Sequence, residues 1–274
     1  MNKVWLITGA NSGFGQAIAE AAVAAGDVAV ATARRVASLS ELAAAHPGQV
    51  DALPLDVTDP DAIDATVRDV IARHGRIDVL VNNAGRTHVG AAEETTDAEL
   101  RDLFEVHLFG PAALTRAVLP YMRARRSGAI VAISSMGGQL SFAGFAAYSA
   151  TKFALEGLSE ALADEVRPLG IKVLIVEPGA FRTGLFGSHS ASASLPDYAD
   201  TVGRTREMVE SGAGTQPGDP AKAAAAILTA LDAPDTPLRL PLGDDAVDAV
   251  LGHLDSTRAD LLAWEKVARA TRLA

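Results

Sequence analysis

The chain has no cysteine among its 274 residues. That excludes disulfides and cysteine-ligated metal, and it suits the reducing cytoplasm, where the protein is expected to work. Positive charge is also short: 24 Lys and Arg stand against 34 Asp and Glu, a formal net charge of −10. Such a field repels phosphate backbones, so nucleic acid is not expected as a partner. The histidines, His46, His74, His88, His107, His189 and His253, show no metal-ligand spacing, and no metal is expected. The opening stretch MNKVWLITGA has too short an apolar run for a secretory signal. Residues 127–151 carry no charge over a length that could span a bilayer. Glycines, serines and a glutamine interrupt them, so they read as buried core, and no membrane contact is expected. No internal repeat, low-complexity tract or interdomain linker is visible.

What is present is a 49% hydrophobic content, enough for a large core, arranged as short apolar runs between helical patterns. KVWLIT (3–8), VAVATA (28–33), VDALPL (50–55), DVLVNN (78–83), AIVAIS (129–134) and KVLIVE (172–177) read as strands buried on both faces. Alanine-rich helices are expected at about 13–25, 38–45, 60–74, 97–125 and 147–168. This βαβα alternation predicts a doubly wound α/β fold, a single Rossmann-type domain over 1–274. The alternation fails after Pro178. Residues 180–218 are rich in Gly, Ser, Ala and Thr, with one short helix expected at 198–209. A long irregular segment after a strand's carboxyl end predicts a substrate lid. The tail, 244–274, is helical and amphipathic, suited to packing or an oligomer contact.

The chemistry sits at strand ends. TGANSGFG places Gly9, Gly13 and Gly15, with Asn11, Ser12 and Phe14, between a strand and a helix. Glycines there let backbone approach a pyrophosphate at a helix N-terminus, where free N–H groups favour anions. The second strand ends in ATARR. An acid at this point would bind a ribose 2′-OH; here Ala33 is followed by Arg34 and Arg35. A guanidinium gains up to ~4 kcal/mol gross beside a phosphate at an effective dielectric near 20. NADP(H) is therefore expected over NAD(H). Asp56 and Val57 in LDV, and Asn82, Ala84 and Gly85 in NNAG, lie on the same edge. In YSATK, Tyr148 and Lys152 share a helix face. A neighbouring ammonium is expected to lower the phenol's pKa from ~10, making Tyr148 a general acid or base. Ser135, thirteen residues upstream at a strand end, can donate to a carbonyl as charge develops.

Together, TGANSGFG, the LDV aspartate, NNAG, Ser135, Tyr148 with Lys152, and EPGAFRT (177–183) resemble the short-chain dehydrogenase/reductase family, in its order and spacing, from about residue 3 to 183. The resemblance implies a Rossmann fold with a seven-stranded parallel sheet and hydride exchange between a nicotinamide and an alcohol/carbonyl pair. It implies Tyr148 as acid/base, Lys152 lowering its pKa and holding the nicotinamide ribose, and Ser135 fixing the substrate oxygen. It places Asp56 near the adenine, Asn82 near the adenosine ribose, and Pro178, Gly179 and Thr183 on the nicotinamide side. Arg34 matches the family's NADP-preferring members. A homo-oligomer, dimer or tetramer, is common among them. A catalytically silent NADP(H)-binding sensor or scaffold is the alternative class, and such relatives tend to lose the Tyr or the Lys, both present here. The substrate is expected to be a small lipophilic or aromatic alcohol or carbonyl compound, from a wall of Phe142, Phe145, Phe181, Leu185 and Phe186.

One position departs from the family. Where its central helix has an Asn, this chain reads VHLFG, with His107. Four residues on stands Pro111, which has no N–H, so the His107 carbonyl loses its helical partner. In the family that carbonyl holds a relay water. The helix is therefore expected to break here, eased by Gly110, with the backbone of His107 mattering more than its side chain.

Overall fold

The apolar runs become a parallel sheet because helices cover both of its faces. The computed structural model describes residues 2–273. Its strands are β1 (Val4–Thr8), β2 (Val28–Ala33), β3 (Val50–Pro54), β4 (Val79–Asn82), β5 (His88–Val89), β6 (Gly128–Ile133), β7 (Ile171–Pro178), β8 (Ser190–Ala191) and β9 (Arg239–Leu242). Seven of them form one parallel sheet in the order β3-β2-β1-β4-β6-β7-β9, the Rossmann arrangement; β5 and β8 pair separately. Strand side chains alternate between faces. Trp5, Ile7, Val79 and Val81 meet Ile18 of α1 (Gly13–Ala24) and Ile227 of α8 (Pro220–Asp232). Leu6, Val30, Leu80 and Ile130 meet α3 (Pro60–His74), α5 (Gly110–Arg125) and α6 (Ala146–Val166) through Val67, Leu114 and Leu162. Each such side chain, fully buried, contributes about 1.5–3 kcal/mol. Strand order reverses between β1 and β4, which opens a crevice at their carboxyl ends.

One sheet-covering helix, α8, and the sheet's edge strand, β9, fall outside the sequence expectations. α8 is an alanine-rich run whose start signal, Asp219 capping Ala221 with Pro220 in the first turn, resembles that of α3. β9 is a half-buried edge strand whose Arg and Pro hide its period. The expected helix at 97–125 is α4 (Asp97–Phe104) and α5, joined by a π-turn at Glu105–Phe109. Residues 180–218 hold more structure than expected: short turns, β8, and a π-turn at Ala199–Gly203 running into α7 (Arg204–Gly212). Their two ends are zipped together, Gly218 N–H to the Ala180 carbonyl at 3.1 Å and Arg182 N–H to the Gly218 carbonyl at 2.9 Å. A short helix, α2 (Ser40–Ala45), follows β2, and α9 (Asp244–Arg269) ends the fold. Among the described residues no helix is long and apolar enough to cross a membrane. Trp5 is buried with its indole N–H on Asp27 at 2.9 Å, whereas Trp264, on α9, is 66% exposed.

Candidate active site

The glycine turn closes against the end of β4. The Thr8 hydroxyl donates to the Val81 carbonyl and accepts from the N–H groups of Asn83 and Ala84 at 2.9 and 3.0 Å. The Asn83 amide donates to the carbonyls of Thr8 and Gly9 at 2.8 and 3.1 Å. Gly9 has φ +63°, a conformation only glycine adopts easily, and a Cβ on Gly15 would collide with the Gly9 carbonyl and the Asn83 amide. Gly15 thus lets the turn close and does not line the crevice. Ser12 precedes α1 without capping it, so the first-turn N–H groups beside the crevice have no side-chain partner.

The crevice is a cleft of about 720 Å³. Gly9, Asn11, Ser12, Gly13, Phe14, Arg34, Arg35, Asp56, Val57, Ala84, Gly85, Ser135, Tyr148, Lys152, Pro178, Gly179 and Thr183 all line it, as expected from sequence. Asn82 does not. It is buried behind β4 with its amide 3.4 Å from Thr115, and Asn83 occupies the cleft in its stead. The reason is strand alternation: Asn82 shares the face of Leu80, which packs toward α5. Arg34 and Arg35 are exposed at the end of β2 and enter no salt bridge among the described residues. Asp56 is held below the usual carboxylate range by the Thr58 N–H and hydroxyl, and more weakly by Arg34. A dinucleotide fits these features: an uncapped helix N-terminus, a glycine cradle, and free guanidinium groups at the far end.

Ser135, Tyr148 and Lys152 meet at one wall. Ser135 caps a turn, accepting the Gly137 N–H at 3.0 Å, and lines the cleft with Tyr148. The Lys152 ammonium donates to the Ile133 carbonyl at 2.9 Å and lies 5.7 Å from the centre of the Tyr148 ring. The expectation that Lys152 lowers the Tyr148 pKa is not what this arrangement does. Burial pushes Tyr148 up to about 12, with Ser135 pulling the other way, and burial pushes Lys152 down to about 8, with Glu156 opposing. At this separation the loss of water around each group outweighs their mutual attraction. Behind Lys152, Glu156 accepts from Ser134 at 2.8 Å and Arg239 at 3.1 Å. Glu177, fully buried, accepts from Gln139 at 2.7 Å and lies 3.4 Å from Arg239.

His107 does not line the cleft; it props the wall from behind. Its Nε2 accepts the Arg86 N–H at 3.1 Å, so the proton resides on Nδ1, which faces the Thr151 hydroxyl at 2.8 Å. That hydroxyl donates to the Tyr148 carbonyl at 2.7 Å. The ring stands edge-on to Tyr148 with centroids 5.7 Å apart. Burial, then the Lys152 and Arg86 charges, push its pKa well down, so the ring is neutral. The side chain thus props the wall, a role beyond the one expected of the His107 backbone carbonyl. Nor does the helix break. Gly110 is helical and donates to Glu105, five residues back, widening the helix by one residue. Gly110 is small because a Cβ would strike the Val57 carbonyl.

The lid wall differs in part from expectation. Phe181, Leu185 and Phe186 line the cleft, the Phe181 ring tilted against Phe14 with centroids 5.1 Å apart. Phe142 is exposed, and Phe145 packs on Tyr148 and the apolar cluster of Val89, Val202 and Val209. Sequence reasoning missed what straps the lid down. β8 pairs with β5, and His88 bridges Ser190 and Ser192 at 2.9 Å each. Glu94 accepts from Arg206 and from the Leu195 N–H, both at 2.7 Å. Thr8, Asn83 and Thr151 lay inside motifs that were noted but were not singled out.

Comparison with known proteins agrees with this geometry. The family described as short chain dehydrogenase matches residues 3–193. A crystal structure of a short-chain dehydrogenase from Streptomyces avermitilis is 66% identical, covers 99% of this chain and 98% of that one, and has a TM-score of 0.94. A 3-ketodihydrosphingosine reductase from Bacteroides thetaiotaomicron is 40% identical over 76% of each chain. An alcohol dehydrogenase from the archaeon Thermococcus sibiricus, solved with 5-hydroxy-NADP, is 26% identical with a TM-score of 0.73, over 88% of this chain and 96% of that one. The chain that carries Ser135, Tyr148 and Lys152 on one wall of a glycine-floored cleft belongs to the short-chain dehydrogenases and is an oxidoreductase of that family.

Proposed function

We propose that this oxidoreductase is NADP(H)-dependent and interconverts a ketone and a secondary alcohol of apolar character, with Tyr148 as general acid/base. The observation that carries this reading is the convergence of Ser135, Tyr148 and Lys152 on one wall of the cleft, with the Lys152 ammonium 5.7 Å from the Tyr148 ring centre. The nicotinamide, when bound, supplies or accepts the hydride. Ser135 holds the substrate oxygen, and Tyr148, protonated at neutral pH, donates its proton to that oxygen during reduction. Lys152 and the first-turn N–H groups of α1 would hold the ribose and the pyrophosphate, and Arg34 and Arg35 a 2′-phosphate. Phe181, Leu185 and Phe186 give the substrate side its apolar wall. A relative named for a keto substrate and a solved neighbour holding an NADP derivative support the ketone and the cofactor.

The test is oxidation of NADPH against a panel of aliphatic and aromatic ketones. Tyr148→Phe should lose turnover by at least ~10²-fold while binding NADPH as before. Arg34→Ser should raise KM for NADPH roughly tenfold, about 1.4 kcal/mol, and leave KM for NADH unchanged. Tight NADPH binding with no turnover above Tyr148→Phe on any ketone would overturn the enzymatic reading. Equal use of NADH and NADPH would overturn the cofactor assignment.

A further inference from the structure

α9 is 26 residues long, ~39 Å at 1.5 Å per residue, yet only Ala246 and Val250 near its start are buried. Its first turn is fixed: the Asp245 carboxylate accepts the Ala180 N–H at 2.7 Å. From residue 251 onward it stands clear of the body. On that free part Leu254 is 51% exposed, and Leu261 and Trp264 are each 66% exposed. With Thr257 between them they recur at three- and four-residue intervals, along one stripe of the helix. Contiguous apolar exposure of this kind marks an interaction surface. The stripe lies outside the part of the chain that matches the family, which ends at residue 193.

We propose that the free half of α9 pairs antiparallel with α9 of a second copy of this chain, about a two-fold axis near residues 262 and 263. The charges choose the occupant and the direction. Two opposite charges, Arg258 and Glu265, flank the stripe on the same edge, seven residues apart. In an antiparallel pair each Arg258 meets the partner's Glu265, twice by symmetry. The same register seats Leu261 against the partner's Trp264. A parallel pair would instead set Asp260, on the opposite edge of the stripe, against the partner's Glu265, two like charges. Glu265 already accepts from Arg269 at 2.7 Å on the exposed surface, a contact that pairing can share or release at little cost.

The experiment is the mass of the full-length protein in solution, by sedimentation or light scattering, from ~1 to 100 μM. Leu261→Glu should halve the mass of the wild-type assembly, with NADPH binding unchanged, because the site is exposed and folding does not depend on it. Arg258→Glu should weaken association at least tenfold, Glu265→Arg likewise, and the double swap should restore it. In a chain without cysteine, Arg258→Cys mixed with Glu265→Cys should give a disulfide-linked pair on oxidation. Either variant alone should not, since like positions lie roughly 10 Å apart along an antiparallel pair. A monomeric wild type, a mass indifferent to Leu261→Glu, or cross-linking of each cysteine variant alone would overturn the proposal. So would a monomer that sediments instead with phosphatidylglycerol vesicles.

Discussion

Of the Ser135, Tyr148 and Lys152 wall, Lys152 is the group whose protonation lies closest to working pH. Burial brings it down to about 8, while Tyr148 stays protonated up to about 12. Ketone reduction should therefore be flat through neutrality and decline as pH rises past about 8, where the ammonium is lost before the phenol ionises. A kcat profile between pH 6 and 10 at saturating NADPH checks this; a rise across pH 8 would contradict it. His107 acts at the same scale, through its two nitrogens. Removing the ring in His107→Ala strands the Arg86 N–H, takes away the donor to the Thr151 oxygen and leaves a hole beside Tyr148. The cost should be about 3 kcal/mol, read by denaturant unfolding, with a larger fall in kcat than in NADPH affinity. His107→Asn is shorter and satisfies one of the two partners, so it should recover part of the loss.

The helical elements show what was legible in sequence and what was not. Strand runs, the glycine turn and the YSATK face were readable because each depends on local period or spacing. The π-turn was not. Pro111 announced an irregularity, but whether a helix kinks or widens depends on what packs against it, here the Val57 carbonyl against Gly110. Asn82 and Asn83 were confused for the same kind of reason: one residue of register changes the face, and only the sheet sets the register. The lid's order was hidden because its partners, His88 and Glu94, come from about a hundred residues away. α8 carries a legible start, Asp219 and Pro220 matching Asp59 and Pro60 of α3, but its alanine run gives little apolar period to read. At this scale the prediction is for Gly110→Ala. It should push α5 off the Asp56–Thr58 loop, lowering thermal stability by several degrees and weakening cofactor binding. An unchanged melting midpoint would show that the close approach is dispensable.

Across the whole molecule, a buried acid cluster ties α6, β7 and β9 together: Glu156 and Glu177 around Arg239, with Gln139 donating. Burial, then the neighbouring Glu156, raises Glu177 from an ordinary 4.5 to about 7. A raised acid stabilises the fold fully below 4.5 and loses that contribution as pH rises to about 7. Glu177→Gln cannot lose a proton. Its melting midpoint should fall less than wild type's between those values and should exceed it at pH 8; parallel curves would contradict the assignment. The distribution of tryptophan has a consequence of another kind. The chain has two, Trp5 sealed under the sheet and Trp264 in water at the far end of α9. In the separated chain their emission should split into a blue, quencher-resistant component and a red, iodide-accessible one, and pairing through α9 should shift the second to the blue and shield it. A single spectrum thus reads the integrity of the core and the state of the tail independently, with no label attached.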